Sequence, residues 1–337
     1  MDVLVCGAQM PFTHGGAEMH QENLVQALRE AGHRAELVRL PVAWEKDRLF
    51  DSATAWRSLP IDADVVIATN FPSYFIRHPR KVVWLFHQHR GAYDAADAAW
   101  NDLGTDDASL EVQRLLTEWD ARALGEASRL FTTSHVVADR LSRYNGLTGT
   151  PLYHPPPLAD LLAPGEQGDY LFCPTRLENN KRPDRVVAAL PAAPSRLRAV
   201  LAGTGSLHGS LREQARAEGT VDRLDLPGFI SDEDLVTLYS GCLAVVYAPQ
   251  DEDYGYVTLQ AFLSGKPVIT ATDSGGVLEW VQDGVTGLVT DGSREALSEA
   301  ARRLDQDRDL AARMGAAGRR KVAGLNWRRV VSTLLER

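Results

Sequence analysis

The sequence has few cysteines and no long apolar run. Its three cysteines, Cys6, Cys173 and Cys242, are widely separated, and each lies in or beside an apolar stretch. This spacing argues against a disulfide framework or a cysteine metal site and is typical of reduced core residues in a cytoplasmic protein. No stretch approaches the ~18 consecutive apolar residues of a membrane-spanning helix, so we expect none.

Basic residues are also in deficit. Lys and Arg number 36 against 45 Asp and Glu, which gives a net charge of −9. We therefore expect no nucleic-acid partner, because proteins that bind nucleic acids present basic surfaces. The opening residues MDVLVCGAQMPF lack the basic region of a signal peptide, and they predict a buried first strand instead.

Disorder is excluded by a composition of 44% hydrophobic and 24% charged residues, which is ordinary for a globular protein. The 337 residues are too many for one usual core, and this length predicts two domains. Short apolar strands alternate with helices along the chain, a pattern typical of parallel sheets covered on both faces. The pattern pauses over 154–169, which is rich in Pro and Gly, and then restarts.

We therefore predict an α/β fold of two doubly wound, Rossmann-like domains, over residues 1–160 and 161–325. The ligand is expected at the carboxyl ends of the strands, in the cleft between the domains. Strands are predicted at 3–6, 35–40, 65–69, 82–86, 130–133, 170–173, 199–202, 224–226, 243–247 and 268–270. Helices are predicted at 17–31, 46–57, 93–102, 110–127, 136–144, 182–190, 207–218, 232–240, 256–263 and 294–304.

The most informative stretch is residues 242–289. It predicts a strand, a short acidic loop over 250–253, and an apolar helix that Gly255 opens and Gly265 ends. A helix start favours a bound anion, and carboxylates accept hydrogen bonds from sugar hydroxyls. A loop that offers both indicates a nucleotide-sugar site.

Other loops at predicted strand ends carry weaker signals. Gly15 and Gly16 follow the first strand and let the backbone approach a ligand, although an ordinary turn has the same pattern. Arg176 and Lys181 could converge on one diphosphate, or they could be solvated loop charges. Backbone groups around Phe229 and Ile230 could bind a nucleobase edge, while Phe229 could equally be a core residue.

Taken in order, these segments resemble the retaining GT-B glycosyltransferases of family 4. The resemblance covers nearly the whole chain and rests on GGAE at 15–18, RLENNKRPD at 176–184, GTG at 203–205, GFIS at 228–231, the acidic segment, GKPVI and GGVLEWVQDGVTG. It implies a nucleotide-diphosphate sugar held mainly by the C-terminal domain and an acceptor recognised by the N-terminal one. It also implies no metal, no cofactor, and a terminal helix over 326–337 that crosses back to the first domain.

The resemblance also assigns roles to individual residues. Two are catalytic: Glu252, the first Glu of the E-x7-E motif, holds the transferred sugar, and His87 lies near the reacting carbon, with His89 as a neighbour or rival. The donor-binding residues are Gly15, Gly16, Gly255, Tyr256 and Val257 for the phosphates, Arg176 and Lys181 for the diphosphate, and Phe229 and Ile230 for the base.

One position departs from the family pattern. The second Glu of the motif, which is expected to bind the ribose hydroxyls, is Gln260. An amide can still accept from one hydroxyl and donate to another. It lacks the charge-assisted part of that contact, which is worth roughly 1–2 kcal/mol. We expect Gln260→Glu to tighten donor binding.

Alternative interpretations remain open. The Asp251–Glu252–Asp253 sequence resembles the metal motif of GT-A transferases, although the cationic pair makes a metal superfluous. A non-catalytic sugar-nucleotide-binding protein or a GT-B epimerase would share the fold. The acceptor is a glycan, a lipid-linked glycan or a small molecule. The acidic helix at 17–31, with Glu18, Glu22 and Glu30, predicts at most weak peripheral membrane contact.

Overall fold

A computed structural model describes residues 1–9, 15–96, 98, 101 and 103–336. The chain forms two compact units, one comprising Met1–His154 with Leu325–Arg337 and the other Pro155–Gly324. The sequence places the same divisions at 160/161 and 325/326. Most of the predicted loop before Gly15 lies outside the described residues.

The first unit contains a parallel six-stranded sheet in the order β2-β1-β3-β4-β5-β6. All six residues of β3 are buried, because helices cover both faces of a doubly wound sheet. The strands are β1 Asp2–Gln9, β2 Arg34–Pro41, β3 Val65–Asn70, β4 Lys81–His87, β5 Arg129–Thr132 and β6 Thr150–Pro151. The helices are α1 Gly16–Glu30, α2 Leu49–Ser58, α3 Asp107–Gly125 and α4 His135–Asn145.

The second unit contains another parallel six-stranded sheet, in the order β12-β11-β10-β7-β8-β9. The strand order reverses between β7 and β10, and ligands of such sheets bind beyond the carboxyl ends of the strands at this switch point. The strands are β7 Tyr170–Pro174, β8 Arg198–Ala202, β9 Leu224–Gly228, β10 Ala244–Val246, β11 Val268–Ala271 and β12 Gly287–Thr290. The helices are α5 Pro183–Ala189, α6 His208–Ala217, α7 Asp232–Gly241, α8 Tyr256–Leu263, α9 Arg294–Gln306 and α10 Arg308–Val322.

The last helix, α11 (Trp327–Leu335), belongs to the first unit. Its apolar face, which includes Val330 and Leu334, joins a core cluster that also contains Leu24 and Trp84. Arg129 fixes the end of the helix, since its guanidinium donates to the carbonyls of Thr333 and Glu336. Among the described residues, no helix combines the length and the apolar character needed to cross a bilayer.

Four elements differ from the sequence-based predictions. The helix predicted at 93–102 is wrong in its described part, which follows a short 3-10 turn at Arg90–Ala92 and consists of turns and bends. Tyr93 is held there because its hydroxyl donates to the buried carboxylate of Asp120, 2.6 Å away. The sequence reading also missed β6, β12 and α10. In α10 the packing face contains Gly315, whose missing side chain lets the helix lie against the carbonyl of Gly265.

Two buried histidines face each other in the first unit. His20 Nδ1 lies 3.2 Å from His154 Nε2, and the His20 ring is 4.3 Å from that of Trp84. Burial, with a smaller contribution from His87, lowers the pKa of His20 to about 3. Burial and His20 together lower the pKa of His154 well below its usual value. Both rings are therefore neutral in the folded protein at physiological pH.

This pair predicts a loss of stability in acid. Histidines in the unfolded chain take up protons below pH ~6.5, whereas the folded pair does not. The free energy of unfolding therefore falls as the pH is lowered from 6.5 towards 3. Each histidine contributes up to ~1.4 kcal/mol per pH unit to this fall. Denaturant unfolding of His20→Gln should show a shallower pH slope than the unchanged protein.

The matched control is the exposed His135→Gln, which should keep the original slope. Burial raises the pKa of Asp120 to about 7, which gives a slope of opposite sign between pH 3.8 and 7. That contribution cancels when the variants are compared with the unchanged protein. Identical slopes for His20→Gln and the unchanged protein would contradict the prediction.

Candidate functional site

The loops that follow β7 and β10 meet at the switch point of the second sheet. The first loop carries Lys181 and the second carries Glu252, 71 residues further along the chain, and the two side chains form an ion pair. The hydroxyl of Tyr247, the residue after β10, donates to the same carboxylate oxygen, Oε2 of Glu252, at 2.7 Å. The predicted diphosphate cation and the predicted sugar-binding carboxylate thus lie in one cluster.

The electrostatics of this cluster keep Glu252 ionised. Burial alone would raise the pKa of Glu252. The charge of Lys181 and hydrogen bonds from Lys181 and Tyr247 outweigh burial and hold that pKa below its usual value. Burial, followed by the nearby charge of Glu252, raises the pKa of Tyr247 well above its usual value. The phenol is therefore a neutral hydrogen-bond donor to a carboxylate.

A second ion pair holds the loops in place. Arg182 donates two hydrogen bonds, both 2.7 Å long, to the carboxylate of Asp273 in the loop after β11. The carbonyl of Asp273 accepts a hydrogen bond from the amide of Asp251. The loops that carry Lys181 and Glu252 are therefore joined through a third loop.

The two glycines of that third loop allow a close backbone approach. The amide of Gly276 donates to the carbonyl of Glu252 at 2.6 Å, and a side chain at Gly275 would collide with the same backbone. This packing gives the Gly-Gly sequence a structural reason. It fixes the backbone of Glu252 independently of its carboxylate.

Arg176 lies on the loop after β7 and is exposed. The loop is anchored by Glu178, whose carboxylate accepts hydrogen bonds from the hydroxyl and the amide of Ser206. Gly205 allows this contact, because a side chain there would collide with the backbone of Leu177. The structure therefore presents Arg176 to solvent on a fixed loop, although its diphosphate contact stays a prediction.

Phe229 follows β9 and is 86% exposed. Gly228, at the end of the strand, has a left-handed backbone conformation with φ of 77°, while Ile230 is partly buried. The alternative that Phe229 is a core residue is wrong. An exposed aromatic ring at the carboxyl end of a strand is available to stack on a flat ligand.

Helix α8 begins directly after the acidic loop. Gly255 has a left-handed conformation with φ of 81°, and it turns the chain so that Tyr256 is the first helical residue. The first amides of a helix, here including those of Tyr256 and Val257, have no acceptor within the helix. The predicted phosphate contact of these amides is consistent with this geometry.

Gln260 is only 7% exposed and is bonded at both ends of its amide. Its Oε1 accepts from the hydroxyl of Tyr239 at 3.0 Å. Its Nε2 donates to the carbonyl of Pro157 at 3.2 Å, and thus joins α8 to the segment that precedes β7. The contact of Gln260 with ribose stays a prediction, but the structure shows a second role that sequence reasoning missed.

Because of this second role, we expect Gln260→Glu to lower the stability of the protein, separately from its effect on donor binding. A carboxylate cannot donate to Pro157 and places a charge in a buried site, so we expect a loss of about 1–3 kcal/mol in the free energy of unfolding. Denaturant unfolding at neutral pH checks this. The deficit should shrink in acid, because a protonated carboxyl can donate again. The control Tyr239→Phe loses only the other hydrogen bond, the one from the Tyr239 hydroxyl to Oε1 of Gln260. A Gln260→Glu protein whose free energy of unfolding equals that of the unchanged protein would contradict the prediction.

The first unit places its predicted residues separately. Gly15 precedes α1 and its amide donates to the carboxylate of Glu18 at 3.0 Å, and Gly16 is the first residue of the helix. His87 ends β4, and its Nδ1 lies 3.0 Å from the carbonyl of Gln88. His89 is buried, with its ring 5.3 Å from that of Trp44. The roles of these residues stay predictions.

The sequence reading missed Tyr247 and the Arg182–Asp273 pair. Tyr247 is an aromatic residue that ends a buried strand just before the acidic loop, and this position is its only signal in the sequence. Asp251 and Asp253, the alternative metal ligands, lie on either side of Glu252. Within the described ranges, no three His, Cys, Asp or Glu residues are grouped so that they could hold a metal ion.

Two parallel sheets, each with a switch point, define a two-domain α/β protein of the GT-B fold, as predicted. Residues 162–321, most of the second unit, match the model of the family glycosyl transferases group 1, and this part of the chain belongs to that family. The resemblance to group 1 glycosyltransferases is thereby confirmed, and the assignment to family 4 and the retention of configuration stay predictions.

Similar proteins extend this finding. A GDP-mannose-dependent alpha-(1-6)-phosphatidylinositol monomannoside mannosyltransferase of Mycobacterium tuberculosis is 37% identical over 171 residues, which cover 47% of this chain and 43% of the relative. A D-inositol 3-phosphate glycosyltransferase of Nocardia farcinica is 31% identical over 261 residues, 69% of this chain and 57% of the relative. The chain thus spans about half the length of these relatives.

Among solved structures, Anabaena Alr3699/HepE in complex with UDP and glucose is similar to this chain. The TM-score is 0.73 at 17% identity, and the match covers 100% of both chains. This similarity shows a shared fold.

Proposed function

We propose that the protein is a glycosyltransferase that moves a sugar from a nucleotide-diphosphate sugar to a hydroxyl acceptor. The observation that carries the proposal is the cluster of Lys181, Glu252 and Tyr247 at the switch point of the second sheet. It combines a cation for phosphate and an ionised acceptor for sugar hydroxyls within one site. Membership of glycosyl transferases group 1 supports the same activity.

In this proposal the second unit binds the donor along its strand ends. Arg176 and Lys181 bind the diphosphate, together with the amides at the start of α8. Glu252 accepts hydrogen bonds from the transferred sugar. The exposed ring of Phe229, with the backbone of Ile230, contacts the base. The identity of the base is open, since the names of the similar proteins mention both GDP-mannose and UDP.

The chemistry we propose is front-face substitution with retention at the sugar carbon. As the bond to the diphosphate breaks, negative charge develops on the leaving phosphate, and fixed cations and helix amides stabilise it more in the transition state than in the ground state. The acceptor hydroxyl passes its proton towards that phosphate. By the family resemblance, His87 positions the sugar or the acceptor, and Gly15 and Gly16 approach the donor phosphates.

Labelled UDP-, GDP- and ADP-sugars, incubated with the protein without an acceptor, test this proposal. Slow release of free sugar from one of them is the expected result, and it identifies the base. Binding without release favours the alternative of a non-catalytic homologue. A changed sugar that is still attached to its nucleotide would instead indicate an epimerase. Either outcome overturns the proposed transfer.

We also propose that turnover needs no metal, because Arg176 and Lys181 supply the positive charge that Mg²⁺ supplies elsewhere. The rate of donor hydrolysis should be the same in excess chelator as in added Mg²⁺ or Mn²⁺. A rate that vanishes in chelator and returns with Mn²⁺ would place a metal at Asp251 and Asp253. Asp253→Asn then serves as the check, since it would abolish any metal-dependent part.

The proposed acceptor is a glycan, a lipid-linked glycan or a small molecule with a free hydroxyl. We propose at most weak peripheral membrane contact for the protein. Less unpaired negative charge is exposed on α1 than the sequence indicates, because Glu18 is buried and Glu22 pairs with Arg39. Co-sedimentation with anionic vesicles at physiological salt checks the proposal, and strong binding would contradict it.

A further inference from the structure

One carboxylate oxygen of Glu252 accepts hydrogen bonds from two donors. Oε2 accepts from the ammonium of Lys181 and from the hydroxyl of Tyr247. The two donors also approach each other, since Lys181 Nζ lies 3.5 Å from the hydroxyl oxygen of Tyr247. Under the proposed function, however, Lys181 also has to bind the donor diphosphate. The ammonium therefore has two competing anionic partners.

We infer that Tyr247 is the positioning residue that keeps Glu252 aligned with the sugar when the diphosphate engages Lys181. This inference rests on the proposed function, because it needs a donor that carries both a diphosphate and a sugar. Tyr247 is not a catalytic residue in this role, since it acts on the substrate only through Glu252.

The two donors differ in how firmly they are held. Tyr247 is 3% exposed, and its backbone amide is bonded to the carbonyl of Ile269 in the neighbouring strand. Its aromatic ring has only two side-chain torsions. Lys181 carries its charge on a flexible four-carbon stem in a short 3-10 turn. The hydroxyl is therefore a fixed point, whereas the ammonium can move to a new partner.

The charges favour this exchange. A diphosphate carries more negative charge than one carboxylate, so it attracts the ammonium of Lys181 more strongly. Once Lys181 moves, Glu252 keeps the hydrogen bond from Tyr247 and the backbone contact with Gly276. The other carboxylate oxygen, Oε1, then keeps its orientation because Oε2 is still bonded to Tyr247. Tyr247 would thus preserve the sugar contact through a change in the partner of Lys181.

The test measures affinity for the nucleoside diphosphate and for its sugar conjugate separately, by calorimetry, together with the turnover number of donor hydrolysis. Tyr247→Phe should leave nucleoside diphosphate affinity unchanged. In this variant the attached sugar should increase affinity by about ten-fold less than in the unchanged protein. Turnover should fall by a similar factor, since a hydrogen bond to a charged group is lost. A merely structural defect would lower affinity for both ligands together.

The matched control is Tyr170→Phe, which removes a tyrosine hydroxyl of the same unit that donates to the carbonyl of Leu238. It should change neither affinity nor turnover. If the unchanged protein hydrolyses the donor and Tyr247→Phe equals it in every measurement, the inference alone is overturned. If the unchanged protein binds the nucleoside diphosphate but gains nothing from an attached sugar, the proposed function is overturned and the inference with it.

Discussion

Glu252→Gln should lower the turnover number of sugar transfer by about 100-fold, because the ionised carboxylate is expected to hold the sugar as it reacts. The change keeps the shape of the side chain, removes its charge and replaces one accepting oxygen with a donating amide. Affinity for the nucleoside diphosphate should hold or rise, since Lys181 loses its competing partner within the protein. Single-turnover hydrolysis and calorimetry measure the two quantities separately.

The control for this experiment is the exposed Glu233→Gln on α7, which also removes one negative charge from the second unit. It should match the unchanged protein in both measurements. A Glu252→Gln protein with full turnover would remove Glu252 from the chemistry. A loss of diphosphate affinity equal to the loss of turnover would indicate a disturbed loop instead.

Lys181→Ala should weaken nucleoside diphosphate binding by about 10- to 100-fold and leave nucleoside binding nearly unchanged. The lost interaction is a charge-assisted hydrogen bond to phosphate, which is worth about 1.5–3 kcal/mol. Arg176→Ala should act in the same direction. Calorimetry with the nucleoside and its diphosphate as separate ligands measures the difference.

Arg319→Ala is the control for the lost positive charge, because Arg319 is an exposed residue of α10 outside the proposed site. Equal losses for nucleoside and diphosphate in Lys181→Ala would count against the phosphate contact. Turnover is a second readout. Without Lys181, the hydrogen bond from Tyr247 has to oppose both burial and the charge of Asp253, so the pKa of Glu252 should rise. As the pH is lowered, activity should therefore decline at a higher pH than in the unchanged protein.

The sequence predicted the two sheets well because apolar strands such as β3 and β7 are continuous and short, as buried parallel strands are. It failed for α10, where Gly315 replaces the apolar residue that a packing helix usually presents. It also failed for β12, which has only four residues and follows a turn. Close backbone approach leaves no apolar signal, so such contacts have to be seen in three dimensions.

The site was predicted in its parts but not in its connections. The position of Lys181 in its loop and the family resemblance both indicate a diphosphate ligand, and the resemblance alone assigns Glu252 to the sugar. Neither shows that the two side chains form an ion pair. In the sequence Tyr247 is one more strand residue, because the role of its hydroxyl depends on the hydrogen bond to Glu252, which only the structure shows. The sequence does not decide the position of Phe229, since one aromatic residue after a strand fits a core and a binding surface equally well.

The hydrogen bonds of Gln260 have a consequence for the substitutions that this position tolerates. The side-chain amide of Gln260 donates to the backbone carbonyl of Pro157. Because this acceptor belongs to the backbone, no side-chain replacement can remove it. A carboxylate at this position leaves that carbonyl without its donor unless the segment that carries Pro157 has moved first. Effects of neighbouring substitutions are not additive, and proteins lie close to their stability threshold. The cost of Gln260→Glu should therefore depend on which substitutions precede it.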